Sequence, residues 1–170
     1  MFRNGSVLHS VGLATASMVA KLLLAAQIVI AFAFHAGDRE TPLVYTGYVL
    51  LAVAVILGGI AFVSLYRRGG ARRRVTPLAT TIVVDQGIYG IVRHPMFLIA
   101  MIMAVALMLI GQHLVVIAMG FVEIIILCFA IIWEERNSRK KFGEAYDRYA
   151  RSVPALNLAV GLTRYMRKSH

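Results

Sequence analysis

The sequence is poor in the residues that hold small soluble folds together through covalent or metal cross-links. Among 170 residues there is a single cysteine, Cys128, and it lies inside an apolar run. Neither a disulfide framework nor a cysteine-based metal site is therefore available. The sequence also lacks a Walker pattern and a glycine-rich phosphate loop after a strand, which disfavours a nucleotide held by its phosphates. Acidic residues are scarce, with eight Asp and Glu against eighteen Lys and Arg.

Apolar residues are in excess and account for 59% of the chain, whereas soluble domains contain about 45–50%. A helix that crosses a bilayer needs about 20 mostly apolar residues. Four segments qualify, at about residues 11–34, 43–66, 95–110 and 113–133. The sequence therefore predicts an all-α, polytopic integral membrane protein with about four transmembrane helices, followed by a C-terminal cytoplasmic or interfacial helix.

The net charge of +10 is distributed unevenly between the links that join these spans. Basic residues crowd the long link at Arg67–Arg74 and the tail beyond Arg136, whereas links 35–42 and 111–113 contain few. This is the positive-inside pattern, and it predicts a multi-pass protein with both termini and the basic link in the cytoplasm. Membrane lipids are the expected partner of these charges. No nucleic-acid partner is predicted, because no aromatic interleaving or binding motif accompanies the charge.

The third and fourth apolar segments are predicted to form an antiparallel hairpin. Pro95 suits the first turn of a helix, and Gly111-Gln112-His113 suits a tight turn. The hairpin would bring Arg93-His94 and Glu134-Glu135 to one membrane depth, on the cytoplasmic side, near Tyr89. These donors and carboxylates together would fit a zwitterionic amino-acid group. One histidine with two adjacent glutamates does not match a familiar metal-ligand spacing, so no metal is predicted.

Beyond the fourth span, residues 134–151 are polar and helix-forming, with Phe142, Tyr146 and Tyr149 spaced for one face. They predict a helix that either continues the span or folds back over the hairpin, and that ends at Pro154. Residues 155–162 are apolar but too short to cross a bilayer, which favours an interfacial position. Two charges, Lys21 and Glu123, fall inside spans, where lone charges are costly; they are expected to pair or, alternatively, to contact substrate.

Two stretches of the sequence resemble a known membrane family. Gly87-Ile88-Tyr89-Gly90-Ile91-Val92-Arg93-His94-Pro95-Met96-Phe97 is similar to a G-x-Y-x-x-x-R-H-P-x-Y element. Glu134-Glu135, Phe142-Gly143-Glu144-Ala145-Tyr146-Asp147-Arg148-Tyr149 and Val153-Pro154 are similar to an E-E…F-G-x-x-Y-x-x-Y…V-P ending. Both belong to the isoprenylcysteine carboxyl methyltransferase family and its phospholipid-methylating relatives. The resemblance covers about residues 81–154.

The resemblance implies an S-adenosylmethionine-dependent methyltransferase whose cofactor is enclosed by the third and fourth spans and the C-terminal helix. It implies cofactor contacts in three groups: Thr81, Ile82, Val83 and Val84 at the adenosine end; Tyr89, His94, Pro95, Met96 and Phe97; and Glu134 on the amino group, with Glu135 shaping the mouth. No catalytic residue is assigned, because methyl transfer needs chiefly alignment and desolvation. One membrane domain follows, comprising a scaffold (1–75), a cofactor-binding hairpin with the C-terminal helix (76–154) and an interfacial basic tail (155–170).

Two departures from the family pattern leave the methyl acceptor open. Phe97 replaces a tyrosine, and Ala130, one turn before Glu134, stands where the prenylcysteine enzymes place an arginine. A lipid amine, an isoprenoid or quinone-like carboxylate and a small thiol all remain candidate acceptors. The alternative functions are an NADPH-dependent, sterol-reductase-like membrane enzyme, whose relatives carry a related R-H-P-x-Y element but are longer, and a non-catalytic membrane adaptor. The sequence does not predict the oligomeric state.

Overall fold

The structure is a computed structural model that describes residues 4–34, 41–68 and 87–168. Within these ranges the regular structure is helical and contains no strand, which confirms the predicted all-α fold. The helices of the described residues are α1 Asn4–Phe34, α2 Pro42–Arg68, α3 Ile88–Ile91, α4 Pro95–Gly111, α5 Leu114–Phe142, α6 Glu144–Ser152 and α7 Leu158–Lys168.

Three helices, α1, α2 and α5, contain stretches that are long and apolar enough to cross a membrane. The helix at the predicted third span, α4, is apolar but has only 17 residues. At 1.5 Å per residue it is about 25 Å long, slightly less than the roughly 30 Å of a hydrocarbon core. Three of the four predicted spans therefore meet the length requirement, and α4 is a shorter apolar helix.

The chain divides into two compact units that are not contiguous in sequence. The first unit comprises Met1–Val55 and Ile99–Asn137, and the second comprises Ile56–Leu98 and Ser138–His170. Helices α2, α4 and α5 each contribute residues to both units. The division into scaffold, hairpin and tail stays a prediction.

Helices of the first unit approach one another closely at glycines. A Cβ added to Gly47 of α2 would lie 2.9 Å from the carbonyl oxygen of Ala106 in α4, and one added to Gly111 would lie 3.2 Å from Cα of Ala31 in α1. Small residues are favoured where membrane helices pack, because they let the backbones come close and gain van der Waals contact. In this unit, α4 therefore packs against both α1 and α2.

The predicted turn at Gly111-Gln112-His113 is confirmed. Gln112 takes a φ of 42°, in the left-handed region that non-glycine residues seldom adopt. Its backbone N–H donates to the Met108 carbonyl at 3.1 Å, and its side-chain amide donates to Oγ1 of Thr41 at 2.7 Å. The second bond attaches the turn to the residue that precedes α2. Residues 99–111 and 114–137 thus form a hairpin within the first unit.

Two polar side chains are buried among the apolar helices of the first unit. Gln27 is fully buried, and its Nε2 donates to the carbonyl oxygens of Ala104 at 3.3 Å and Val116 at 3.1 Å, which ties α1 to α4 and α5. Glu123 is also buried, but its carboxylate oxygens have no hydrogen-bond partner among the described residues.

The predicted pairing of Lys21 with Glu123 is wrong. Lys21 is exposed, whereas Gln27, on the same helix, points into the unit. Six residues separate the two positions, so their side chains are about 120° apart around the helix axis. The pairing was predicted because the two residues have opposite charges and lie within spans. Those two facts do not indicate whether the side chains face each other.

The Glu123→Gln substitution should leave stability unchanged or raise it, because no ion pair is lost and a neutral amide is less costly to bury than a carboxylate. Thermal unfolding in detergent measures this, with Gln27→Leu as the comparison variant. Gln27→Leu removes the two interhelical hydrogen bonds and should lower the unfolding free energy by about 1–2 kcal/mol. A loss of similar size in Glu123→Gln would contradict this account of Glu123.

Candidate functional site

Arg93 and His94 link α3 to α4 and belong to neither helix. The ring of a proline disfavours the helical conformation in the residue before it, so His94 cannot continue α3 into α4. Val92 already has extended backbone angles, φ −137° and ψ 134°, and α4 begins at Pro95, as predicted. The N–H groups of residues outside a helix make no intrahelical hydrogen bonds, so they need other partners when they are buried.

Those partners are two carbonyl groups that follow α6. The backbone N–H of Arg93 donates to the Pro154 carbonyl at 3.0 Å, and that of His94 donates to the Ala155 carbonyl at 3.2 Å. Pro154 has no N–H group and does not continue a helix easily, so it follows the end of α6 with its carbonyl available. The R-H-P and V-P sequences, about sixty residues apart, are thus joined backbone to backbone.

A tyrosine of α6 attaches to the same region through its hydroxyl group. Tyr149 is buried, and its phenol donates to the carbonyl oxygen of Tyr89 at 2.7 Å. Its ring lies 6.0 Å from that of Tyr146, edge to face, and both pack with Val153 and Phe142. Tyr146 and Tyr149 lie on one face of α6, as predicted, whereas Phe142 ends α5 and packs against the same cluster from that helix. The hydrogen bond to Tyr89 was not predicted, because nothing in the spacing of the tyrosines indicates a backbone acceptor.

The face carrying these tyrosines begins after a break at Gly143. Gly143 adopts φ 54° and ψ −132°, a combination open almost only to glycine. Beyond it, Glu144 and Asp147 lie in the first turn of α6, where negative charge is favourable. Asp147 also forms an ion pair with Arg139 of α5 at 3.0 Å. The first predicted alternative is right as far as Phe142, where α5 ends, and a separate helix, α6, follows. That α6 folds back over the hairpin stays a prediction.

The second unit contains five of the predicted cofactor contacts. His94 is 5% exposed and Pro95 is fully buried, while Tyr89 and Phe97 are half-buried. The rings of His94 and Phe97 lie 5.9 Å apart at 67° to each other. Met96 is the most exposed of the five, at 42%. The His94 imidazole therefore lies beside one aromatic ring, on a segment whose backbone N–H groups are hydrogen-bonded.

The remaining predicted contacts are either on α5 or outside the described residues. Glu134 and Glu135 are half-buried on α5, in the part that belongs to the first unit. That these two glutamates lie close to His94 stays a prediction. Thr81, Ile82, Val83 and Val84 lie outside the described residues. Ala130 is fully buried one turn before Glu134. Among the side chains that the structure describes, no group of three or more His, Cys, Asp or Glu could hold a metal ion.

Together these features define a helical membrane protein with an immobilised R-H-P segment. A family model described as phospholipid methyltransferase matches residues 44–145, more than half of the chain. The chain belongs to this family of membrane methyltransferases, which confirms the resemblance found in its sequence. A search of curated proteins found no match to the chain, and a search of solved structures found none either.

Tyr149→Phe should lower the stability of the second unit by about 1 kcal/mol, because it removes one hydrogen bond and leaves the ring in place. Thermal unfolding measures the loss, and hydrogen exchange should show faster exchange of the amides from Tyr89 to His94. Tyr66→Phe is the matched control, since Tyr66 is exposed on α2 in the same unit. Equal stability and equal exchange in the two variants would contradict the role given to the Tyr149 hydroxyl.

Proposed function

We propose that the protein is an S-adenosylmethionine-dependent methyltransferase that acts on a lipid acceptor. The observation that carries this proposal is the pair of backbone hydrogen bonds from Arg93 and His94 to Pro154 and Ala155. They hold a buried histidine in a fixed position, within a chain of the phospholipid methyltransferase family. A binding site for a small cofactor needs this kind of pre-formed, partly apolar setting with a few polar groups.

The residues of the R-H-P segment fit the cofactor chemically. The amino-acid end of S-adenosylmethionine carries a carboxylate, for which Arg93, His94 and Tyr89 provide cationic and neutral hydrogen-bond donors. Its ammonium group calls for a carboxylate, and Glu134 is the residue that the resemblance gives for this contact. The ring of Phe97, edge-on to His94, offers an aromatic face that attracts a cation even without a hydroxyl group.

The reaction asks little of the protein beyond positioning. When bound, the cofactor supplies a methyl group on a positively charged sulfur. The chain would hold an acceptor in line with that group and exclude water, which matters because the positive charge disperses as the methyl group is transferred. The buried Pro95 and the half-buried Phe97 provide apolar surface for this purpose. No general base is needed when the acceptor is a free amine, a thiolate or a carboxylate.

Ala130 favours an amine acceptor over a carboxylate. A carboxylate is recognised best by a guanidinium group, which can donate two parallel hydrogen bonds. The prenylcysteine enzymes have an arginine at the position that the buried Ala130 holds in this chain. A phospholipid amine, entering sideways from the bilayer, is the acceptor that agrees with this residue and with the family. The positive-inside pattern favours a cytoplasmic site, where a soluble cofactor has access.

Calorimetric titration of the detergent-purified protein tests the cofactor. S-adenosylhomocysteine should bind to the wild type and NADPH should not. His94→Ala and Glu134→Ala should each weaken binding about ten- to hundred-fold, the effect of losing one hydrogen bond to a charged group. His113→Asn, at the turn that joins α4 to α5, and Glu144→Ala, at the exposed start of α6, are the matched controls.

The outcomes of that titration separate the competing functions. Wild-type affinity in both site variants would remove this site from consideration. Binding of NADPH instead would support the reductase, and binding of neither compound would support the adaptor.

Transfer of a labelled methyl group tests the acceptor. We expect label to enter a phospholipid with an ethanolamine headgroup, supplied in mixed micelles, and not a prenylcysteine carboxylate. The physical reason is the absence of a guanidinium group at position 130. Label in the carboxylate alone would overturn the amine assignment and leave the cofactor assignment intact.

A further inference from the structure

The C-terminal helix α7 has two chemically different sides. At 100° per residue, Leu158, Leu162, Tyr165 and Met166 fall on one apolar arc, whereas Arg164 and Arg167 fall on the opposite one. The apolar arc is open: Leu162 is 47% exposed and Met166 is 51% exposed. An apolar arc with an arginine-bearing arc opposite is typical of helices that lie in a membrane interface.

One residue of α7 packs closely against the R-H-P region. Gly161 is buried, and a Cβ at this position would collide with the carbonyl oxygen of Ile91 and lie 2.8 Å from its carbonyl carbon. The backbones of α7 and α3 are therefore in direct contact, three residues before His94. Only glycine can occupy position 161 without displacing α7 or α3. This contact therefore determines how α7 lies within the second unit.

The start of α7 is placed by the same backbone bonds that hold His94. Ala155 accepts the His94 N–H, and two residues later Asn157 caps α7, with its Oδ1 accepting the Val160 N–H at 3.0 Å. Since His94 directly precedes the apolar helix α4, α7 begins where that helix begins. In a membrane protein this is the level of the lipid headgroups, so the open apolar arc is near acyl chains and the arginines are near headgroups.

We propose that α7 binds anionic phospholipids of the bilayer and that this binding stabilises the R-H-P segment. Charge complementarity selects the lipid, because Arg164 and Arg167 are exposed on α7 and Arg148 and Arg151 are exposed on α6 in the same unit. Held at the interface, α7 keeps Gly161 against Ile91 and keeps Ala155 in place for His94. The inference concerns lipid binding and backbone order, and it does not depend on methyl transfer.

The test uses the full chain in nanodiscs of phosphatidylcholine, with or without phosphatidylglycerol. Cys128→Ser removes the native thiol, and a nitroxide is attached at Met166→Cys on the apolar arc or at Val160→Cys on the arginine side. The label at position 166 should be reached by dissolved oxygen, and the label at position 160 by a water-soluble nickel chelate. Phosphatidylglycerol should increase this difference and should slow hydrogen exchange of the Arg93 and His94 amides.

A charge variant isolates the role of the arginines. Arg164→Gln/Arg167→Gln should lower the equilibrium constant for docking of α7 on anionic nanodiscs about five-fold for each arginine. It should also abolish the effect of phosphatidylglycerol on exchange at Arg93 and His94. Arg136→Gln/Lys140→Gln, exposed on the last turns of α5, removes the same charge and should keep both effects.

Three results would overturn the proposal. The first is equal exposure of positions 160 and 166 to water. The second is identical exchange in neutral and anionic nanodiscs. The third is slow hydrogen exchange at Arg93 and His94 that depends on protein concentration and not on lipid charge. That result would indicate that a second copy of the chain binds the apolar arc of α7.

Discussion

The second unit depends on one backbone constraint: the helical conformation is disfavoured for a residue that precedes proline. His94 therefore interrupts the helical path between α3 and α4, and buried N–H groups without partners cost several kcal/mol where water is excluded. The chain meets this requirement with the carbonyl groups of Pro154 and Ala155. The two accepting residues lie between α6 and α7, so the same two bonds join the start of α4 to the end of α6 and the start of α7.

Further contacts reinforce this backbone junction. The Tyr149 phenol binds the Tyr89 carbonyl, and the close approach of Gly161 to Ile91 brings α7 onto α3. All of these contacts have a backbone group on at least one side, so they do not require a particular side chain at position 97. This explains how Phe97 can replace a tyrosine without loss of the local architecture. The departure bears on what the site binds, and the fold of the segment is independent of it.

The features that follow from local stereochemistry were predicted from the sequence. The features that depend on which side of a helix a residue occupies were missed. Apolar runs located the helices, Pro95 marked the start of α4, and the turn around Gln112 was recognised from its composition. The Lys21–Glu123 pair was predicted from charge alone, and the orientation of α1 excludes it. Helix α7 was missed because residues 155–162 were judged by the length of their apolar run. A test for helical period over Leu158–Lys168 would have separated its apolar and basic arcs.

Under the proposed function, the residues that bear on the methyl donor and on the acceptor come from separate parts of the chain. His94 and its neighbours, which are expected to contact the methyl donor, lie on a segment secured by backbone hydrogen bonds. Glu134, also expected to contact the donor, and Ala130, which bears on the acceptor, are side-chain positions on α5. Backbone bonds tolerate substitution at neighbouring side chains, so a change at Ala130 leaves the fold of the R-H-P segment intact. An acceptor drawn from the bilayer is also part of the surface on which α7 is proposed to dock. The bilayer would then provide both an amine phospholipid as substrate and anionic phospholipids as support, and the R-H-P segment would be most ordered where anionic lipids bind α7.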